Sequence, residues 1–349
     1  MILSSLGYKS GGPKVVFFKS LRLLSRFAYN LFILISDFLI VGTNRRGFHA
    51  NSVLLVRTDG IGDFVLWLES AKEIRKRYPT PQYRLTLVAN GLWASLATDM
   101  AIFDNIIGLD LKRLTWNPFY RWQVLKEIRD ERFEIAIYSA YSRYFHKGDT
   151  LIHASGARER IGFSGDCSNI LPFYKRVGDG RYTKLVPAEE RPMNELERNA
   201  EFIRGLGVAT FRLTIPKMPY RKDIIPVALQ GLDYYVMFPG AGLPGKQWPI
   251  ASFLEIAKRI FKKTGWLGIV CGGAADVAIA KAICEDESIK LENWTGRATL
   301  IEVAAILSHA RLLVANDTGA VHIAASVGTP SVCILGGGIT VGFYLSPPG

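Results

Sequence analysis

Residues 316–330, which read NDTGAVHIAASVGTP, place polar side chains where an apolar run gives way to a helix of small residues. Such a turn directs backbone N–H groups and the positive end of the helix dipole towards a bound anion. Asp317, Thr318 and Gly319 occupy the predicted turn, and His322 shares one helix face with Thr318 because four residues separate their positions. The segment therefore predicts a phosphate site. For His322, the alternative is a hydrogen-bonded structural role.

A glycine-rich loop earlier in the chain, residues 238–249, reads FPGAGLPGKQWP. Gly240 would let the backbone approach a ligand closely, and Lys246 would neutralise phosphate oxygens as a point charge. Asp276 lies near another predicted helix start, where a hydrogen bond to a ribose and a favourable interaction with the helix dipole are equally good accounts. Together the two loops predict a cradle for the diphosphate of a nucleotide sugar.

A third turn, in the first half of the chain, carries carboxylates. Residues 54–64 read LLVRTDGIGDF, which is typical of a strand followed by a helix. Sugar transfer that displaces a diphosphate needs a general base beside the acceptor, and Asp63 is the candidate, with a helix cap as its alternative. Asp59 is the rival, but an ion pair with Arg57 would lower its pKa and make it a poorer base. Gly62 belongs to the same acceptor-side turn.

The glycine pattern of this turn argues against a nicotinamide cofactor. Gly60 and Gly62 match the start of a dinucleotide-binding loop, but Val65 stands where the third glycine would be. The next predicted strand ends at Asn90, with no acidic residue there to bind a ribose hydroxyl.

The composition is that of a folded protein long enough for two domains. The chain has 349 residues, of which 49% are hydrophobic and 21% charged. The four cysteines lie far apart without a C-x-x-C pair, which argues against a zinc knuckle or a disulfide framework and favours a reducing cytoplasm. The histidines show no metal-ligand spacing.

The formal charge of +12 is concentrated near the start of the chain. Residues 1–50 contain seven Lys and Arg residues and one acidic residue, Asp37, and they include the apolar run 27–41. A membrane-spanning helix needs about 20 apolar residues, so this run predicts a basic amphipathic extension on an anionic membrane surface. The alternative is a helix packed against the body of the protein. Nucleic acid is not a predicted partner, because the charge lies in one apolar segment.

Strand-like and helix-like segments alternate after this extension. The predicted strands cover 53–57, 83–89, 133–138, 234–238, 266–271, 311–315 and 331–335, and the predicted helices cover 63–78, 119–131, 194–206, 250–263, 274–284, 300–308 and 318–327. This alternation predicts an α/β protein with parallel sheets. A proline-bearing break at 215–226 divides it into an acceptor domain, 51–220, and a nucleotide-sugar domain, 221–349.

Three ordered segments, LLVRTDGIGDFVL, PGAGLPGKQWP and NDTGAVHIAASVGTP, resemble motifs of the family-9 glycosyltransferases, the heptosyltransferase-like enzymes of bacterial lipopolysaccharide assembly. The resemblance implies a GT-B fold, with two Rossmann-like domains facing across a cleft, and an inverting, metal-independent transfer. It implies that Asp63 is the base, that Lys246 binds phosphate, and that the 317–322 motif holds the donor. One departure is Thr58-Asp59-Gly60, where the family usually has a serine-rich turn.

The function expected from this resemblance is transfer of a sugar, heptose by analogy, from a nucleotide-sugar donor such as ADP-heptose. The acceptor would be a lipid-linked glycan of the lipopolysaccharide type at the cytoplasmic face of the inner membrane, and no cofactor or metal is expected. The alternative from another class is a non-catalytic, membrane-associated protein that binds sugar nucleotides or glycans.

The resemblance also implies a further C-terminal segment, whereas this chain ends in SPPG. Relatives with this type of turn tend to continue with a His-aromatic-Gly-Arg-Phe segment leading to a proline. Codons can be chosen for the residues after Gly338 so that a one-base shift of the reading frame encodes a segment similar to the one in these relatives. This suggests a truncation or a frameshift in the second domain.

Overall fold

The computed structural model describes residues 29, 33–35, 37, 47–98, 100–220 and 222–335. Most of the predicted extension and the chain end after residue 335 lie outside the described residues. The expectations about membrane attachment and about a truncated or frameshifted end therefore stay predictions.

The first sheet contains six parallel strands in the order β3-β2-β1-β4-β5-β6. Its strands are β1 (His49–Arg57), β2 (Arg84–Asn90), β3 (Asn105–Leu109), β4 (Phe133–Tyr138), β5 (Glu159–Phe163) and β6 (Lys184–Val186). The central strand β1 is buried from Ser52 to Arg57, since helices cover both faces of a parallel sheet. It pairs with β2 through Ser52↔Arg84 and with β4 through Val53↔Ile135.

Seven α-helices connect the described strands of this sheet and lead away from it. They are α1 (Ile61–Arg77), α2 (Ala94–Thr98), α3 (Leu111–Trp116), α4 (Pro118–Asp130), α5 (Thr150–Ser155), α6 (Pro172–Asp179) and α7 (Glu195–Gly205), and a π-helical turn, Phe145–Asp149, precedes α5. Gly207 follows α7 with a left-handed φ of 103°, which is typical of a glycine that ends a helix.

The second sheet contains five parallel strands in the order β11-β10-β7-β8-β9. They are β7 (Tyr234–Phe238), β8 (Leu267–Val270), β9 (Leu291–Asn293), β10 (Leu312–Asn316) and β11 (Ser331–Ile334). The helices of this half are α8 (Ile250–Thr264), α9 (Val277–Cys284), α10 (Leu300–His309) and α11 (Gly319–Val327), with 3₁₀ turns at Lys222–Ile224, Val227–Leu229, Pro244–Lys246 and Ala274–Asp276.

The two sheets confirm the predicted α/β class with two parallel-sheet halves. The largest apolar core combines buried side chains from both, such as Phe64 and Leu68 of α1 with Ile323 and Ala324 of α11. Helices α1 and α11 pack directly against each other. Because parallel strands end at one edge of a sheet, the turns after β1 and β10 bring the first and last sequence motifs to the carboxyl edges of their sheets. The predicted domain boundary at 220/221 falls between α7 and β7.

The described residues of the extension contact the first domain. The carboxylate of Asp37 accepts hydrogen bonds from Nε and Nη2 of Arg121 at 3.0 and 2.8 Å, and both side chains are buried. The Tyr29 ring stacks on Trp116 with a centroid distance of 5.4 Å. At these positions the chain packs against the body of the protein, as the alternative interpretation expected.

Candidate active site

The turn between β1 and α1 holds the predicted base. Helix α1 begins at Ile61, two residues before its predicted start, so Asp63 is its third residue. The Asp63 Oδ2 accepts a hydrogen bond from the Gly60 backbone N–H at 2.9 Å. This interaction is the predicted helix-capping alternative, and it fixes the carboxylate at the carboxyl edge of the sheet.

Arg57, at the end of β1, holds this turn from beneath and is fully buried. Its Nη2 donates to Glu195 Oε1 at 2.8 Å and to the backbone carbonyl of Asp63 at 3.3 Å. Its Nε lies 2.9 Å from Asp59 Oδ2, although the Nε–H is not directed at an acceptor. One guanidinium thus connects the strand end, the Asp63 turn and the start of α7.

We expected an ion pair with Arg57 to lower the pKa of Asp59, and this expectation was wrong. The pair forms, but burial raises the pKa of Asp59, and the nearby carboxylates of Asp63 and Glu195 raise it further. Arg57 opposes this shift without cancelling it. The net direction is upward because the desolvation of a carboxylate outweighs one imperfectly aligned ion pair.

Lys246 and Asp317 come together although 71 residues separate them in the chain. The Lys246 Nζ lies 3.4 Å from Asp317 Oδ2, and both side chains are partly exposed. Lys246 belongs to the short 3₁₀ turn after β7, and Asp317 follows β10, which pairs with β7. The cationic loop and the carboxyl edge of β10 therefore meet at one place.

Asn316 connects the same two segments and is completely buried. Its Nδ2 donates to the Pro239 carbonyl at 2.7 Å, and its Oδ1 accepts from the Trp248 N–H at 3.1 Å. The amide thus binds both ends of the glycine-rich loop. Trp248 packs edge-on against Phe253, so its ring belongs to the core of this half.

Asp276 and Gly240 are also neighbours. A Cβ placed on Gly240 would lie 2.2 Å from Asp276 Oδ1, so only glycine fits beside this carboxylate. Asp276 Oδ2 accepts from the Gly273 N–H at 2.9 Å, which is the interaction expected of a residue that caps its own helical turn.

The amino ends of α1 and α11 meet at two glycines. A Cβ on Gly62 would lie 2.6 Å from the His322 ring, and a Cβ on Gly319 would lie 2.8 Å from the Ile61 Cβ. The 317–322 motif of the second half therefore touches the Asp63 turn of the first half. The structure places Gly62, Gly319 and His322 together, beside Asp63.

His322 is 6% exposed, and burial lowers its pKa, while Asp63 and Asp317 act in the opposite direction. The net downward direction leaves the imidazole neutral at pH 7. Thr318 precedes α11 and does not cap it with its side chain, and its hydroxyl is buried without a hydrogen-bond partner. The first turn of α11 thus keeps the uncapped amino end that suits an anion.

The sequence motifs and the fold agree with comparisons to known proteins. The family model described as glycosyltransferase family 9 (heptosyltransferase) matches residues 121–338. The chain belongs to glycosyltransferase family 9.

Relatives of this family-9 chain cover it to different extents. Lipooligosaccharide heptosyltransferase 2 of Haemophilus influenzae is 28% identical over 316 residues, covering 82% of this chain and 83% of that protein. Lipopolysaccharide heptosyltransferase 3 of Escherichia coli is 27% identical over 164 residues, and there the chain spans 47% of the relative's length. The solved structure of E. coli ADP-heptose LPS heptosyltransferase II superposes with a TM-score of 0.64 at 18% identity, covering 81% of this chain and 84% of that one, which establishes the shared GT-B fold.

The sequence did not predict the structural roles of three residues in this glycosyltransferase, Asn316, Arg57 and Glu195. Asn316 was recognisable only as the start of a motif, and Arg57 only as a neighbour of Asp59. Glu195 lies 138 residues from Arg57 and gave no local signal. Within the part of the chain that the structure describes, no three His, Cys, Asp or Glu side chains are grouped to hold a metal ion, and no helix is long and apolar enough to cross a membrane.

Proposed function

We propose that this family-9 glycosyltransferase moves heptose from ADP-heptose to a hydroxyl group of a lipopolysaccharide-type envelope glycan, with inversion and without a metal ion. The observation that carries the proposal is the contact between α1 and α11 at Gly62, Gly319 and His322. At this contact the Asp63 carboxylate lies near the amino end of α11, which has no side-chain cap from Thr318. The proposed sugar and acceptor class are those of the relatives, a lipooligosaccharide heptosyltransferase and an ADP-heptose LPS heptosyltransferase.

The donor diphosphate would lie at the amino end of α11. Backbone N–H groups of its first turn and the helix dipole stabilise negative charge there. Lys246, now beside Asp317, would turn to the phosphate oxygens and neutralise the charge that develops on the leaving diphosphate. The neutral His322 would donate one ring N–H to the same group. Gly240 and Asp276 would approach the nucleoside.

The acceptor would bind at the turn that carries Asp59, Gly62 and Asp63. In the transfer step, the acceptor oxygen forms a bond to the anomeric carbon while the bond from that carbon to the diphosphate oxygen breaks. The nucleoside diphosphate leaves with the bonding electrons, and the Asp63 carboxylate takes the hydroxyl proton. Attack on the face opposite to the leaving group inverts the anomeric centre.

Membership of a transferase family favours this reaction over the non-catalytic binding protein that the sequence left open. That alternative needs the phosphate loops but no base, and in it the Asp63 carboxylate would serve only as the cap of α1.

The direct test is a transfer assay with the full chain, ADP-heptose and lipopolysaccharide from a heptose-deficient strain. We expect ADP release coupled to heptosylated product, with an inverted anomeric centre detected by NMR and with activity retained in excess chelator. ADP binding without transfer to any such acceptor would contradict the proposed reaction. Activity that is lost with chelator and restored by Mg²⁺ would contradict metal independence.

A further inference from the structure

The π-helical turn Phe145–Asp149 lies at the carboxyl edge of the first sheet. It follows β4, which pairs with β1 through Val56↔Tyr138, so the chain after β4 lies beside the turn that carries Asp63. The backbone N–H of Tyr144 donates to the Tyr138 hydroxyl at 3.4 Å, which keeps the residue above the end of β4. Because π-helical turns are rare and occur mostly at functional sites, this one points to a role on the acceptor side.

Tyr144, directly before the π-helical turn, presents an aromatic ring near Asp63. The residue is 37% exposed, and the Lys147 Nζ lies 4.6 Å from the ring centroid, so a cation packs on the ring. Burial raises the pKa of Tyr144, and the carboxylates of Asp63 and Asp59 raise it further, which requires both to lie near the phenol. An accessible ring beside the candidate base suits a sugar, whose C–H groups form an apolar face.

Arg121 of α4 holds the π-helical turn from its buried side. The residue is 2% exposed. Its Nη1 donates to the His146 carbonyl at 2.8 Å, and its Nη2 donates to the Thr150 hydroxyl at 3.1 Å. The same hydroxyl lies 2.9 Å from the Phe145 carbonyl. Arg121 and Thr150 thus bind two carbonyl groups of the turn, directly after Tyr144.

Asp37 of the extension pairs with this buried guanidinium. Its carboxylate accepts from Nε and Nη2 of Arg121, and its Oδ2 lies 3.1 Å from the Thr150 hydroxyl. A buried guanidinium that loses its carboxylate is strongly destabilised. When the charge of Asp37 is removed, we therefore expect Arg121 to change its position and to weaken its hydrogen bond to the His146 carbonyl.

The π-helical turn has little room to adjust to such a change. A Cβ placed on Gly148 would lie 2.1 Å from the Tyr138 ring, so only glycine fits between the turn and β4. The hydroxyl of the same tyrosine contacts the backbone of Tyr144. Because tightly packed groups transmit strain, a displacement at the His146 carbonyl reaches Tyr144.

We propose that Tyr144 packs against a sugar ring of the acceptor, and that Asp37 is a positioning residue that fixes Tyr144 through Arg121 and the π-helical turn. The extension is then part of the acceptor side of the site. The sugar contact rests on the proposed function, whereas the link between Asp37 and the turn does not and is tested without any substrate.

The link is tested by hydrogen–deuterium exchange of the full chain. In Asp37→Asn, which keeps the shape of the side chain, we expect the amides of residues 144–149 to exchange about tenfold faster than in the wild type. Leu125→Ala is the matched control, because Leu125 is a buried core residue of the same helix and makes no hydrogen bond to the turn through its side chain. Exchange of residues 144–149 that is unchanged in Asp37→Asn, or equally accelerated in Leu125→Ala, would overturn the link.

The sugar contact is tested by steady-state kinetics with ADP-heptose and lipopolysaccharide from a heptose-deficient strain. Tyr144→Ala should raise the KM for the acceptor about tenfold or more and leave the KM for the donor unchanged. Tyr144→Phe, which keeps the ring, should behave like the wild type. Asp37→Asn should also raise only the acceptor KM, and Asp37→Asn/Tyr144→Ala should be no worse than Tyr144→Ala, because Asp37 acts through that ring.

The outcomes separate the parts of the proposal. Additive effects in the double variant would overturn the positioning role of Asp37, and an unchanged acceptor KM in Tyr144→Ala would overturn the sugar contact. A wild-type chain that transfers heptose to no such acceptor would contradict the proposed function and the sugar contact together, while the exchange experiment decides the link between Asp37 and the turn independently.

Discussion

Arg57 and Asp63 show how single residues shape this site. Arg57 binds the backbone carbonyl of Asp63, while the Asp63 carboxylate caps the same turn through Gly60. The Asp63 carboxylate, which would take the proton, is therefore fixed by a hydrogen bond from the first turn of its own helix. The Asp63 backbone is fixed by the buried Arg57 guanidinium. Asp59 and Glu195 balance that cation, and burial raises the pKa of both carboxyl groups.

Replacing Asp63 by Asn tests its role as the base. The Asn amide oxygen can still cap Gly60, so the turn should keep its structure while the proton acceptor is lost. We expect turnover to fall by roughly 10²–10⁴-fold with ADP binding nearly unchanged, measured by steady-state kinetics and calorimetry. If Asp63→Asn retained most of its turnover while Asp59→Asn lost it, Asp59 would be the base.

Replacing Arg57 by Met should destabilise the protein in a pH-dependent way. Loss of the cation leaves two carboxylates, each 19% exposed, without their partner, so we expect the free energy of unfolding to fall by roughly 3 kcal/mol at pH 8. An acid with a raised native pKa contributes stability at low pH that is lost as the pH rises through this pKa. The loss caused by Arg57→Met should therefore be smaller at pH 5, as measured by urea unfolding.

The control for this variant is Arg259→Met, which removes an exposed pair with Glu255 and should cost about 0–1 kcal/mol at either pH. A cost of Arg57→Met that was equal at pH 5 and pH 8 would show that the carboxylates do not take up protons in the native protein.

At the scale of elements, the amino ends of α1 and α11 lie close together because Gly62 and Gly319 carry no side chains. Replacing Gly62 by Ala would place a methyl group 2.6 Å from the buried His322 ring, so the helices must separate or the ring must move. We expect a loss of about 1–3 kcal/mol in thermal or urea unfolding, together with slower transfer. Gly242→Ala is the control, because nothing lies within 4 Å of its added Cβ. Equal effects of the two substitutions would refute a specific contact at Gly62.

The glycine-rich loop after β7 depends on one amide from β10. Asn316→Ala would leave the Trp248 N–H and the Pro239 carbonyl without their partner, at a cost of about 1–3 kcal/mol. We also expect ADP to bind about tenfold more weakly in calorimetry, because Lys246 is carried by this loop. Asn169→Ala, which removes an exposed hydrogen bond to Ser142, is the control. Unchanged ADP affinity in Asn316→Ala would show that the loop keeps its structure without this amide.

At the scale of the whole molecule, the extension is attached to the first domain through Asp37. Asp37→Ala would leave the Arg121 guanidinium buried without its carboxylate, so we expect a loss of roughly 3–5 kcal/mol in urea unfolding. Asp130→Ala, which breaks an exposed pair with Lys126 on the same helix, should cost about 0–1 kcal/mol. A small effect of Asp37→Ala would mean that the extension detaches readily from α4.

The sequence by itself determined the α/β class, the two parallel sheets and the three turns at their carboxyl edges. Apolar runs with strand length, separated by segments with helical period, produce these elements through local preferences. The strands β4 (Phe133–Tyr138) and β7 (Tyr234–Phe238) have their predicted bounds, and most of the other predicted elements shift by only a few residues. The short elements with weak periodicity, such as β6 and β9, were not predicted.

The tertiary structure alone decided which of these turns contact each other and in which direction the pKa values of their side chains shift. The contact of Gly62 with His322, the two hydrogen bonds of Asn316 and the ion pair of Asp37 join residues far apart in the chain, and no local pattern encodes such pairs. The upward pKa shift of Asp59 depends on burial and on Glu195, so the expectation based on Arg57 alone was wrong. Local spacing sets where a helix begins, whereas desolvation and long-range neighbours set what its first residues can do.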